Sequence, residues 1–228
     1  LGNAAAININ DGGTVNLTGA SNSFIGSTTS TTSTLLTINS GGLLTSSNNG
    51  THHIGRINLN GGALGGNSAA AWGLYNLDQR INVTANSTIS ATNVTPSMSD
   101  GTVFNISSGY TLNVTGTLIN ASSAADTGII VSGGGTLLLS GANTYAGGTN
   151  VTAGTLQVGN GGTTGTLGVG NLTVNNATLA FNFSAGNYTV GNATSNAYIT
   201  LNNATVNVAS GNVTLAGTTT TAGTSISA

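Results

Sequence analysis

Apolar and polar residues alternate in short bursts along this chain, and each burst ends in a turn. The pairs Ile7/Ile9, Leu36/Ile38, Ile57/Leu59, Ile81/Val83, Phe104/Ile106, Ile129/Val131, Leu172/Val174 and Ile199/Leu201 each sit two residues apart, and Val151 stands by itself in its unit. Side chains flip faces at every residue of a strand, so this is the pattern of a half-buried β-strand. Three or four positions after each last apolar residue comes a turn-like residue and a second strand start. These starts are Gly13-Thr14-Val15, Gly42-Leu43-Leu44, Gly62-Ala63-Leu64, Ser87-Thr88-Ile89, Tyr110-Thr111-Leu112, Gly135-Thr136-Leu137, Gly154-Thr155-Leu156, Ala177-Thr178-Leu179 and Ala204-Thr205-Val206. They recur at intervals of 29, 20, 25, 23, 25, 19, 23 and 27 residues. Self-similarity at a mean period of about 24 residues predicts a β-solenoid. Each unit reads as strand, tight turn, strand and a longer, variable return.

Stacking the units predicts an all-β parallel β-helix of about nine to ten rungs, one domain over residues 1–228. One apolar column would run Ile9, Ile38, Leu59, Val83, Ile106, Val131, Val151, Val174, Leu201. A second would run Val15, Leu44, Leu64, Ile89, Leu112, Leu137, Leu156, Leu179, Val206. Asn8, Asn58, Asn82 and Asn105 fall between apolar neighbours and are expected in an outward row, where stacked amides can bond along the ladder. Val213 and Leu215 follow Ile199 and Leu201 too closely for a full rung. They are expected either on a third side of the last rung or at the start of an incomplete one. The variable returns hold most of the chemistry, and 46–80 is the least repeat-like part. Pro96 lies in the return 92–101 and is expected in a loop, since proline cannot donate to a central ladder.

Composition removes several function classes. Charged residues make up 3% of the chain, against roughly a quarter in ordinary domains. Lys and Glu are absent, and the ionic side chains are Arg56, Arg80, Asp11, Asp78, Asp100 and Asp126. No basic stripe exists for nucleic acid. No apolar run is long enough to insert in a membrane as a helix. With 38% hydrophobic residues and a net charge of −2, the disordered signature fails. Absence of Cys excludes disulfides and thiolate metal sites.

Candidate chemistry is sparse. Polysaccharide lyases and hydrolases need paired carboxylates, or carboxylates holding Ca²⁺, and the four acids here fall on different units. No catalytic, cofactor or metal residue is therefore assigned, and the chain is expected not to be an enzyme. His52-His53 reads as a water-exposed loop pair, because adjacent residues of a strand point to opposite faces and seldom share an ion. Arg56, Trp72, Tyr75, Asp78 and Arg80 form the best candidate contact surface, since Trp and Arg are enriched at interaction hot spots. Sixteen Asn-x-Ser/Thr triplets can be read. Asn- and Thr-rich strands produce this triplet by accident, so no glycan is assigned.

The stretch 133–184 carries a family resemblance. Its phrases Gly135-Thr136-Leu137, Leu139-Ser140-Gly141-Ala142-Asn143-Thr144-Tyr145, Gly147-Gly148-Thr149, Ala153-Gly154-Thr155-Leu156-Gln157-Val158-Gly159 and Asn176-Ala177-Thr178-Leu179 closely resemble the autotransporter-associated β-strand repeat of bacterial type V secreted passengers. The resemblance implies a right-handed helix, secreted or displayed on the surface of a Gram-negative-type bacterium. It implies an outer-membrane barrel of the same longer chain, if there is one, beyond residue 228. The family repeat has no common active site, so no residue role is carried over.

Two readings follow. The first is a non-catalytic, rigid stalk for surface display or adhesion. The second is a self-assembling subunit of an extracellular filament or layer, since solenoid ends are open edges that pair unless capped. In that reading Ile7 and Ile9 lie on the strand that mates with the next copy. A glycan-binding or polysaccharide-degrading helix is third, with host or matrix glycans as partners.

Overall fold

The computed structural model describes residues 6–18, 23–25, 34–47, 50–66, 71–74, 80–96, 101–120, 128–190 and 198–228. The first five rungs each contain three strands. They are β1 (Ala6–Ile9), β2 (Thr14–Leu17) and β3 (Ser23–Ile25); β4 (Leu35–Asn39), β5 (Leu43–Ser46) and β6 (Thr51–Ile54); β7 (Ile57–Asn60), β8 (Ala63–Leu64) and β9 (Ala71–Leu74); β10 (Arg80–Ala85), β11 (Ser87–Ile89) and β12 (Asn93–Pro96); β13 (Thr102–Ile106), β14 (Thr111–Val114) and β15 (Thr117–Leu118). Later rungs contain two: β16 (Ile129–Ser132) and β17 (Thr136–Leu139); β18 (Thr149–Val151) and β19 (Thr155–Val158); β20 (Leu172–Asn175) and β21 (Thr178–Val190); β22 (Tyr198–Asn202) and β23 (Thr205–Leu215); β24 (Thr218–Ala222) and β25 (Ser225–Ser227).

Taking one strand from each rung gives three sheets. Two contain ten strands each, and the third contains β15, β12, β9, β6 and β3. The pairings between these strands are parallel, as in β1 with β4, β2 with β5 and β3 with β6. The molecule is an all-β solenoid with no helix among the described residues.

The core is the stack of inward side chains. Leu36, Ile38, Leu44, Leu59, Leu64, Val83, Ile89, Leu112, Leu137, Leu156, Leu179 and Leu201 are fully buried. Burying such a side chain is worth roughly 1.5–3 kcal/mol, and one rung buries only a few, so each rung is stable through its neighbours.

The columns differ from the expected ones at one place. Ile9, Ile38, Leu59, Val83 and Ile106 stack in register. Val131, however, lies beside Phe104 and not Ile106. On the second sheet Ile89 lies beside Val114 and not Leu112. The cause is the corner Ser107–Tyr110, which contains two more residues than its neighbours. Gly109, at φ 84°, and the Tyr110 N–H donating to the Ser107 carbonyl at 3.2 Å close that corner. A slip of two leaves every side chain on its original face.

Two further expectations are corrected, and one left with two alternatives is decided. The variable returns of the early rungs contain the third sheet. Pro96 is the final residue of β12, in register with Leu74, at a strand end where a missing N–H is tolerated. Val213 and Leu215 belong to the continuous β23 and pair with Tyr188 and Val190 of β21, so they extend a third side of that rung.

Polar residues stack as well. The Asn82 amide donates to Asn58 Oδ1 at 3.3 Å and the Asn105 amide to Asn82 Oδ1 at 3.0 Å. Asn8 shares the row but has Thr37 between it and Asn58. A second ladder joins Asn60 to Asn39 at 3.0 Å and Asn39 to Asn10 at 2.9 Å.

Leu137→Ala is expected to lower stability by about 2–5 kcal/mol in urea unfolding, because the rungs on both sides hold the cavity open. Thr136→Ala, on the outer face of the same strand, should change it by less than about 0.5 kcal/mol.

Candidate functional site

The third side changes character after β15. Beyond it, among the described residues, that side of the next two rungs has no strand, and side chains take over the backbone's hydrogen bonding. Asn143, 5% exposed, is the centre of the arrangement. The Leu118 N–H donates to Asn143 Oδ1 at 2.8 Å. Asn143 Nδ2 donates to the Thr166 carbonyl at 2.6 Å and the Gly141 carbonyl at 3.3 Å. One amide thus joins three successive rungs. The backbone supports it: Thr144 N–H reaches the Leu118 carbonyl at 2.8 Å, and Thr166 N–H reaches Gly141 at 3.0 Å.

Two residues further on, Tyr145 is fully buried and shares a hydrogen bond of 2.7 Å with the Thr149 hydroxyl. Burial pushes its phenol well above the usual tyrosine range, so it stays neutral. The Ala146 N–H donates to Asn120 Oδ1 at 2.7 Å and the Leu167 N–H to the Tyr188 hydroxyl at 2.7 Å. Gly141 fits this corner because a methyl group there would run into the Gly116 carbonyl of the rung before it.

A shallow groove of about 230 Å³ lies where this side meets the first sheet. Gly101, Gly128, Gly147 and Gly148 line one wall, and Ile130, Asn150, Asn171 and Thr173 are also in the lining. Ile130, Asn150 and Thr173 are consecutive register partners on β16, β18 and β20. Among the described residues the lining contains no charged side chain.

Residues 129–158 match the family model described as the passenger-associated-transport-repeat. This segment is similar to a passenger transport repeat. Within it fall β16 to β19 together with Asn143 and Tyr145, the polar residues that close its third side. Neither a curated protein nor a solved structure matches the chain.

The structure separates the residues expected to form a contact surface. Trp72 is not on the surface: it is fully buried on β9, in the inward row of the third sheet between His52 and Val94. An indole placed in the core of a narrow solenoid contributes area to packing instead of contact. Arg56 is half-buried between β6 and β7, and Arg80 is exposed at the start of β10. Tyr75 and Asp78 lie outside the described residues. Ile7 and Ile9 lie on β1, the outermost strand of its sheet, with Ile9 3% exposed.

The histidines are also corrected. Both lie on β6, a strand, and His52 is fully buried. The two do point to opposite faces, with His53 half-buried. His52 Nε2 is 2.6 Å from the Ser46 hydroxyl, and its ring centre is 5.0 Å from that of Trp72. Burial pushes the His52 pKa below its ordinary value. It does the same for His53, where the nearby His52 adds to the effect.

The groove escaped sequence reasoning. Its one legible signal is the outward parity of Ile130, Asn150 and Thr173.

Two outcomes are expected. Asn143→Ala leaves the Leu118 N–H and two carbonyls without their partner and should cost about 3 kcal/mol in urea unfolding. Tyr145→Phe removes one hydroxyl bond and should cost about 1 kcal/mol. A histidine with a depressed folded pKa binds its proton preferentially when unfolded, so the stability it leaves intact at neutral pH is lost as pH falls below about 6.5. The single Trp, beside His52, should report this loosening in a fluorescence titration, and His52→Gln should flatten it.

Proposed function

We propose that the chain is a non-catalytic, rigid segment of an exported passenger, serving as a stalk for display or adhesion at a Gram-negative-type cell surface. The observation that carries this reading is the placement of the transport repeat. Residues 129–158 sit inside two uninterrupted ten-stranded parallel sheets, so the repeat is one stretch of a continuous rod. At the strand spacing, ten stacked strands extend about 45 Å. Scarcity of charge also suits export to a protease-rich exterior, since trypsin-like cleavage has only Arg56 and Arg80 to attack. An outer-membrane barrel in the same longer chain would be the anchor.

A second reading, end-to-end assembly of copies, is favoured by Ile226. This residue continues the inward column past Val206 yet is 65% exposed, because β25 forms the outer edge of its sheet. In such a filament the mating strand would carry Ile7 and Ile9.

Electron microscopy of the purified chain over a concentration series tests both. Single rods about 45 Å long at all concentrations are expected for the stalk. Fibres of uniform width that lengthen with concentration would replace the stalk by the filament. In a surface-display assay, Asn143→Ala should lower the amount of chain displayed, whereas Thr136→Ala should not. Equal display of both would separate the repeat's polar corner from export.

A further inference from the structure

We propose that Asn60-Gly61 is a latent deamidation site, kept silent by the hydroxyl of Ser87. The proposal is independent of both the stalk and the filament readings.

Asparagine followed by glycine is the pair in which this reaction is least hindered, because glycine has no side chain to block the approach and the widest backbone freedom. The glycine nitrogen loses its proton to solvent and attacks the asparagine Cγ. The bond from Cγ to the amide nitrogen breaks, ammonia leaves, and a five-membered imide remains. Water then opens the imide at either carbonyl and gives aspartate or isoaspartate. The chain contains three such pairs, at 49–50, 60–61 and 160–161. The last two lie wholly within the described residues.

At Asn60-Gly61 both reacting groups are tied down. The Gly61 N–H donates to Ser87 Oγ at 3.0 Å. The Ser87 hydroxyl proton is itself directed to the Ala85 carbonyl at 2.9 Å, so its oxygen meets Gly61 as an acceptor. That bond keeps the proton on the Gly61 nitrogen and aims it at the following rung, away from its own neighbour's side chain. The Asn60 carboxamide is held at both ends. Its Nδ2 donates to Asn39 Oδ1 at 3.0 Å, and its Oδ1 accepts from the Thr84 hydroxyl at 3.1 Å. To reach the Gly61 nitrogen it has to leave both partners. The corner has no slack for this: Gly61 is at φ 90°, and a methyl on Gly62 would lie 2.6 Å from the Asn39 carbonyl oxygen, so the backbone is pressed against the rung before it.

Asn160-Gly161 supplies the contrast. Asn160 is exposed in the strand-free loop after β19. The Gly161 N–H donates to the Asn182 carbonyl at 2.9 Å, but no side-chain hydrogen bond holds Asn160 among the described residues. One restraint stands here where three stand at Asn60-Gly61.

The guarded position is the one where the reaction would do structural harm. Aspartate at 60 would set an acceptor against Asn39 Oδ1 and break the amide ladder that reaches back to Asn10. Isoaspartate would add a carbon to the main chain at the end of β7, which pairs in register with β4 on one side and β10 on the other.

Peptide mapping by mass spectrometry of the full chain, stored in warm, alkaline buffer, tests the proposal, with the chain in urea giving the unrestrained rates. Asn60 should deamidate at least about a hundredfold more slowly folded than in urea, with Asn160 falling between. Ser87→Ala should raise the folded rate at Asn60 by about tenfold and leave Asn160 unchanged. Thr84→Ala should raise it through the other end of the pair, and carries the test if Ser87→Ala does not fold. Equal rates at Asn60 in the folded chain and in urea would overturn the proposal. So would a rate at Asn60 that neither substitution moves, or a rise at Asn160 as large as that at Asn60, which would mean general loosening instead of a released lock.

Discussion

The ladder of backbone hydrogen bonds along the solenoid axis constrains everything else in this protein. Each rung must present its strands opposite those of the rungs before and after it, because an unpaired buried N–H or carbonyl costs as much as a lost hydrogen bond. Rungs of unequal length therefore have to absorb the difference outside the strands. The fifth rung does so at Ser107–Tyr110, where two surplus residues are looped out and the ladder resumes with Phe104 beside Val131 and Leu112 beside Leu137. The later corners are a residue shorter, with Val151 and Leu156 stacking on Val131 and Leu137. Within a strand only an even slip keeps the apolar face inward. A corner breaks the strand, so there the difference can be odd. This is why the spacing between units varies widely while the core columns persist.

The two long sheets were legible in the sequence for the same reason. Alternation over four residues and a glycine-led restart are local signals, and the inward residues they mark are the buried ones. The third sheet was not legible. Its strands are short, β15 being two residues, and its inward row mixes His52, Trp72 and Val94, which share no hydropathy. Trp72 and the histidines read as surface chemistry because polarity and rarity suggest function, whereas in a narrow core a ring of that size is valued for volume. Pro96 misled in the opposite sense, since a strand's last residue need not donate to the ladder. The register slip was invisible because both Ile106 and Phe104 satisfy the same alternation.

Asn143 shows where family likeness and physics meet. Sequence alone places the phrase Gly141-Ala142-Asn143-Thr144-Tyr145 in a repeat without assigning it a role. The structure supplies that role, because where the third side has no strand one amide offers an acceptor to the rung before and a donor to the rung after. A strand would have done this with its own backbone. The spacing of 19 residues between Gly135 and Gly154 is the smallest in the chain, so this rung closes on side chains over a short perimeter.

That shortening shapes the outer surface too. Ala146, Gly147 and Gly148 cross from the third side to the first sheet in three residues. A methyl on Gly148 would collide with the Asn171 carbonyl at 2.6 Å, so the crossing is pressed against the rung behind it. The wall of the solenoid is drawn in at this corner, and the outward row Ile130, Asn150 and Thr173 stands beside the recess. The groove lies where a glycine-rich crossing lets one rung close in on the next, so its position follows from the backbone spacing that the ladder imposes.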